Sequence, residues 1–296
     1  MLSWPLESAA SSPSEHRWWH SGSNQCLDFH GDPVRAKLTV FSDGNHHMAL
    51  EETLAKFVKH NPDVNDVFYA TTPPAVLITA LNQGGLRLGN LMLSRRPQIF
   101  ISPQDLIERL QEQQVVKEIK PFMASRGNVL LVQKGNPCNI RGLADLYRDD
   151  VKLFISNPET EKASYSVYYD TLLDQASRQG LDVNKMAALL RPETSTTLFG
   201  ELIHHREAPQ ALASDRAQVA MVYYHLALRY TRIFPDQFEF ISLGAAHNKP
   251  EADGMVYTEY WCGLLPDSDE WGKRAYEFLS NDLVTAVYEK HGLRRP

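Results

Sequence analysis

Along most of the chain, apolar and polar residues recur at two periods, a strand-like one and a helix-like one, that take turns. Lys37-Leu-Thr-Val-Phe41 has the β-branched and aromatic character of a strand, and the polar loop Ser42–His47 follows it. From Met48 to His60 the residues Leu50, Leu54, Phe57 and Val58 recur at helical spacing, which predicts an amphipathic helix. Val67–Ala70 reads as a second strand. Thr71-Thr72-Pro73-Pro74 then puts hydroxyls where a helix is capped and proline where its first turn accepts it, opening a helix over Ala75–Asn82. Gln98–Ser102 predicts a third strand and Gln104–Gln114 a third helix.

The second half repeats this grammar. Asn128–Gln133 predicts a strand, Gly142–Tyr147 a helix, Val151–Ile155 a strand and Tyr165–Gln179 a helix. Gln218–Tyr224 is a strand with a helix after it, Tyr260–Leu265 a closing strand, and Asp269–His291 closing helical segments. Strands that alternate with helices imply right-handed crossovers and a mostly parallel sheet covered on both faces, an α/β fold. Residues 1–35 break the pattern. They are poor in aliphatics and rich in Ser, Pro, His and Trp, and they read as an irregular arm held down by Trp18 and Trp19.

Composition narrows the function classes. A net charge of −6 with no basic stripe leaves nothing for nucleic acid to recognise. No apolar run is long enough to span a bilayer, so no membrane insertion is expected, and the chain is expected to act as a monomer. The first residues lack a basic start and an apolar core of a leader. The protein is therefore expected to be cytoplasmic if Met1 is native, and periplasmic or extracellular if a leader was trimmed. Cys26, Cys138 and Cys262 show no paired spacing and read as free thiols. Gly-x-Ser-x-Gly, Gly-x4-Gly-Lys and HExxH patterns are missing, and Gly84–Gly89 has the wrong spacing for a dinucleotide loop. The chain is expected not to be an enzyme.

Several stretches, taken in order, resemble the type II periplasmic solute-binding proteins, with the molybdate-binding and ferric-ion-binding branches closest. VFSDGNHHMALEETLAKF resembles the family's first strand, binding loop and helix, and YATTPPAVLITALNQGG its second loop and helix. PQIFISPQDL, NVLLVQKGNPCNIRGLADL, FISNPETEKASYSVYY, AQVAMVYYHLAL and YEKHGLRRP follow in family order, so the likeness runs from Leu38 to Pro296. Gln98 and Gln218 depart from it, standing where the family often has Asp. The resemblance implies two α/β lobes with a ligand cleft between them: residues 36–128 with 246–296 as one lobe, and 129–245 as the other. It also implies a small inorganic ion as ligand and a membrane permease as partner.

Ligands of parallel α/β sheets bind where loops leave the carboxyl ends of strands. Those loops carry Asn45-His46-His47 and Thr71-Thr72 in the first half, and Ala163-Ser164, His204-His205-Arg206 and Tyr223-Tyr224 in the second. Asn45 and Thr72 stand where helix caps are expected, and helix N-termini bind anions. Two histidine pairs fall in these loops, and a neutral imidazole is the metal-ligating form. The ferric-binding branch is similar at His46 and at Tyr223-Tyr224, while Pro103 stands where that branch has a glutamate.

A transition-metal ion such as ferric iron is the expected ligand, with two alternatives beside it. In the expected reading, His46, His204, His205, Tyr223 and Tyr224 hold a metal ion such as iron or zinc, with Asn45, Thr71, Thr72, Ala163, Ser164 and Arg206 around an accompanying anion. In the first alternative, hydroxyls and helix N-termini hold a tetrahedral oxyanion such as molybdate, tungstate or sulfate. In the second, a cleft metal activates water in a hydrolase. No cofactor is expected as a catalyst.

Overall fold

The computed structural model describes residues 28–88, 91–192, 194–201, 203–244, 246–247 and 249–296. Most of the expected N-terminal arm, with Trp18, Trp19 and Cys26, lies outside the described residues, as does Gly89. The chain forms two compact units. One contains Ser125–Thr258, and the other the described residues before it together with Glu259–Pro296.

The outer segments form one unit in the order β1 (Phe29–His30), β2 (Leu38–Ser42), α1 (His47–His60), β3 (Val67–Ala70) and α2 (Pro74–Gln83). A hairpin of β4 (Leu86–Leu88) and β5 (Leu91–Leu93) precedes β6 (Ile99–Pro103), α3 (Gln104–Glu112) and β7 (Glu118–Ser125). The return segment adds β13 (Glu259–Leu264), α8 (Glu270–Phe278), α9 (Asp282–Lys290) and β14 (Leu293–Arg294). Its sheet runs β1-β3-β2-β6-β13-β7-β14 among the described residues. β2 pairs in parallel with both β3 and β6, whereas β13 is antiparallel to β6 and β7.

Both faces of this sheet are covered, which is why its strands read as nearly continuous apolar runs. Leu38, Val40, Ile99 and Ile101 pack with Leu50, Leu54, Phe57, Val284 and Tyr288 on one face. Phe41, Phe68 and Phe100 turn to the other and meet Leu77, Ile107 and Leu110. The period-2 alternation within each strand sends neighbouring residues to opposite cores. Helix ends follow local chemistry. Pro74 occupies the first turn of α2 and Gly84, at φ +79°, closes it. Asp269 caps α8 through the amides of Trp271 and Gly272, and Asn281 caps α9 through that of Leu283.

The inner unit contains β8 (Asn128–Gln133), a 3₁₀ turn over Leu143–Tyr147, β9 (Leu153–Ile155), α4 (Lys162–Arg178) and α5 (Val183–Leu189). It continues with β10 (Thr197–Phe199), α6 (His204–Ala213), β11 (Val219–Tyr223), α7 (Tyr224–Ile233) and β12 (Phe238–Ser242). Its sheet order is β10-β9-β11-β8-β12 among the described residues. β9 is parallel to β10 and β11, and β8 is antiparallel to β11 and β12. Both sheets are therefore mixed: strands that feed helical crossovers run parallel, and the strands on which the chain enters or returns run against them.

The second passage between the units falls after Thr258, later than the expected 245/246 boundary. Residues beyond Ser242 stay with the inner unit because specific bonds hold them there. Arg126 Nε pairs with Glu251 Oε1 at 2.5 Å, Gln175 Nε2 donates to Asp253 O at 2.5 Å, and Asn128 Nδ2 to Val256 O at 3.3 Å. Gly127 belongs to the same seam. Its φ is +101°, and a Cβ there would lie 1.8 Å from Met255 Sδ. Gly127→Ala should lower stability by about 2–4 kcal/mol through the combined strain and overlap. A thermal melt within a degree of the wild type would contradict this packing.

No described helix is long and apolar enough to cross a membrane.

Candidate functional site

The carboxyl end of β2 sets the first group of candidate residues. Ser42 and Asp43 lead into a 3₁₀ turn, Gly44–His46, from which α1 starts. Asp43, not Asn45, caps this turn: its Oδ1 accepts the Asn45 amide at 2.8 Å. Burial pushes the Asp43 carboxyl up to about 6, and the bond from Asn45 opposes the rise. His46 occupies the N-cap position of α1 without a side-chain cap bond.

The His46 ring is fully buried. Its Nδ1 lies 3.1 Å from Tyr288 Oη and its Nε2 3.3 Å from Ser42 Oγ, so both nitrogens have partners in the core. Tyr260, Tyr288 and Phe122 surround it at centroid distances of 4.8, 5.7 and 6.4 Å. Burial foremost, with His47 second, drives its pKa down to about 3. The ring is neutral, as metal ligation requires, yet it is a core residue. The next ring, His47, donates from Nδ1 to Gly44 O at 2.7 Å.

At the end of β3, Thr71 and Thr72 are both buried. Thr71 Oγ1 lies 3.4 Å from His30 Nε2, and His30 stacks on Tyr69 at 4.4 Å. Thr72 donates to Pro73 O at 3.3 Å, and α2 has no side-chain cap, so the capping role expected of Thr72 does not occur. Glu51 is half-buried, and burial raises its carboxyl to about 7 despite His47 nearby. Asp43 and Glu51 are the residues in this unit that sequence reading passed over. The polar loop was visible, but a carboxylate's burial is a tertiary property.

In the inner unit α4 begins one turn earlier than its apolar pattern predicts, so Ala163 and Ser164 lie inside its first turn. Ala163 is exposed, while Ser164 Oγ donates to Ser156 Oγ at 2.9 Å and to Glu161 O at 3.1 Å. His204, His205 and Arg206 form the first turn of α6. Both carboxylate oxygens of Glu161 lie 3.1 Å from the His204 amide, so a carboxylate is seated at this helix start. Burial lowers the His204 ring to about 3, opposed by a bond to the Met221 backbone, and its buried Nε2 has no partner. The ring stacks on Phe154 at 5.7 Å and meets Tyr168 at 5.2 Å. His205 is buried and its carbonyl accepts from Tyr230 Oη. Arg206 is half-buried.

Tyr223 ends β11, and its Oη lies 2.9 Å from Thr258 Oγ1. Tyr168 at 5.1 Å and His225, stacked at 5.2 Å, hold its ring. Tyr168 thus touches both His204 and Tyr223. Its place one helical turn after Tyr165 was the signal in the sequence. Tyr224 behaves differently. It packs edge-on against Phe240 at 5.7 Å with the Arg126 guanidinium 5.4 Å from its ring, and burial raises its phenol.

Within the inner unit the structure therefore brings His204 and Tyr223 together around Tyr168, and it sets Tyr224 apart. Among the described residues no three His, Cys, Asp or Glu side chains gather as a metal-binding group. The described free thiols are Cys138 and Cys262, and burial pushes Cys262 up to about 12.

Against known proteins, the family described as bacterial extracellular solute-binding protein matches residues 38–294. No curated protein matches significantly. Many solved structures share the fold, among them the next three. The sulfate-binding protein SubI from Mycobacterium tuberculosis is 14% identical, with 87% of this chain and 86% of that one covered and a TM-score of 0.61. The periplasmic molybdate-binding protein of Azotobacter vinelandii is 16% identical, covering 88% and 100%, with a TM-score of 0.55. Iron-bound HitA from Pseudomonas aeruginosa is 11% identical, covering 86% and 84%, with a TM-score of 0.55.

Proposed function

The chain belongs to the bacterial extracellular solute-binding proteins, and on that premise we propose that its ligand is a tetrahedral inorganic oxyanion. The candidate donors are Asn45, Thr71 and Thr72 within the outer unit, and Ser164, Tyr223 and the amides at the start of α4 within the inner unit. The observation that supports this reading is the set of hydroxyls at the strand ends, while the His46 ring lies in the core with both nitrogens engaged.

The sulfate- and molybdate-binding structures with this fold support an oxyanion, and HitA supports iron as the competing ligand. The family description supports an extracellular or periplasmic location and a membrane permease as partner.

Thermal melts with molybdate, tungstate, sulfate and phosphate test the reading, because a ligand that binds only the native state raises the midpoint. At one hundred times Kd the stabilisation is about 2.7 kcal/mol. Tyr223→Phe should weaken binding of that oxyanion by roughly tenfold, the usual value of one hydrogen bond to a charged group. If no oxyanion shifts the melt at large excess, while ferric or zinc ion binds below micromolar concentration, the metal reading replaces this one.

A further inference from the structure

The chain passes between its units at Ala124–Ser125 and at Thr258–Glu259. On the inner side the two passages are stitched to each other. The Ser125 amide donates to Thr258 O at 2.8 Å, and the Thr258 amide donates to Ser125 Oγ at 2.9 Å. The Thr258 side chain then reaches Tyr223 Oη at 2.9 Å. One residue thus joins a proposed ligand donor to both chain passages.

The geometry of the Tyr223 ring leaves its hydroxyl as the part to be placed. Tyr168 and His225 pack against the ring, and β8 pairs alongside with Asn128 opposite Tyr223. A phenol carries one proton and two lone pairs, so accepting a bond from a threonine is compatible with donating to an anion. Thr258 suits that task because a β-branched side chain has a restricted χ1, and its own backbone is pinned by Ser125. A serine or valine alone would lack one of these two properties, the stiffness or the hydroxyl.

We propose that Thr258 is a positioning residue for anion capture: it holds the Tyr223 hydroxyl in place and links ligand engagement to the two chain passages. This role rests on the oxyanion reading above and assigns to it a residue that lies outside every binding loop. It differs from a purely structural role in one respect: its effect on affinity runs through Tyr223.

Calorimetric titration of the full chain with molybdate and with sulfate tests it, using Thr258→Val, Thr258→Ser, Tyr223→Phe and the Thr258→Val, Tyr223→Phe double variant. Thr258→Val should weaken binding by about tenfold, the scale of one hydrogen bond made to orient a charged contact. Thr258→Ser should recover most of that loss. In the Tyr223→Phe background, Thr258→Val should add no further loss, the signature of two residues acting as one unit. Hydrogen exchange should also show the Ser125 and Thr258 amides better protected with ligand than without, and this gain should vanish in Thr258→Val. Wild-type affinity in Thr258→Val overturns the proposal, as does an equal loss in the wild-type and Tyr223→Phe backgrounds, or no recovery in Thr258→Ser. Any of these leaves the oxyanion reading standing. A wild-type protein that binds neither molybdate nor sulfate, nor any other oxyanion, overturns both.

Discussion

Replacing His46 by alanine should cost about 3–5 kcal/mol of folding stability, the range for emptying a large buried site. The ring fills space between Tyr260, Tyr288 and Phe122, and its loss removes those contacts together. It also takes a partner from Tyr288 Oη, a buried phenol that then carries part of its desolvation cost. Ser42 is less affected, because its hydroxyl keeps its bond to Asp43 O at 3.1 Å. A urea titration read by circular dichroism checks this, and the midpoint should fall with no change in slope. A midpoint equal to wild type, together with lost affinity for ferric or zinc ion, would mean that His46 faces a ligand after all.

The second large effect is acid lability. His46 and His204 each fall from the ordinary 6.5 to about 3, chiefly because burial disfavours the charged ring. Both rings are neutral when folded, whereas the unfolded chain takes up their protons below pH 6.5. The stability tied to them is therefore fully present above about pH 6.5 and is lost progressively as pH falls toward 3. At about 1.4 kcal/mol per pH unit, each ring can contribute on the order of 4 kcal/mol by the bottom of that window. Asp43 acts in the opposite sense. Its carboxyl rises from 3.8 to about 6, so its contribution is complete below 3.8 and is lost as pH rises through 6. Glu51, raised to about 7 but only half-buried, opposes acid lability in the same way and more weakly.

The carboxyls offset the rings near pH 6.5 but add little more below pH 5, so the urea midpoint should fall chiefly between pH 5 and 3. His204→Phe should flatten that decline. The substitution keeps an aromatic ring against Phe154 and Tyr168 and removes the buried nitrogen that has no partner. A wild-type midpoint that stays level from pH 5 to 3 would show that these rings are hydrated in solution.

Period and turn chemistry are local, and they determined the elements. The strands β2, β3, β8 and β11 and the helices α1, α2 and α4 lie within a few residues of where apolar spacing puts them, because each strand is buried on both faces and each helix on one. The order of those elements determined the fold class, and the binding-loop stretches determined the family, since both are properties of sequence order. The donor types present at the strand ends, hydroxyl, imidazole and phenol, were legible as well.

Tertiary structure alone decided which of those donors faces what. Adjacent side chains such as His46 and His47, or Tyr223 and Tyr224, point in different directions, and nothing local says which one enters the core. Tyr288, which occupies His46 Nδ1, comes from α9, and Thr258, which meets Tyr223, comes from the segment before β13. Partners so far away in sequence leave no trace in spacing. The same holds for burial, which lifts Asp43 and Glu51 and depresses His46 and His204, because desolvation depends on everything packed around a group and not on its neighbours along the chain.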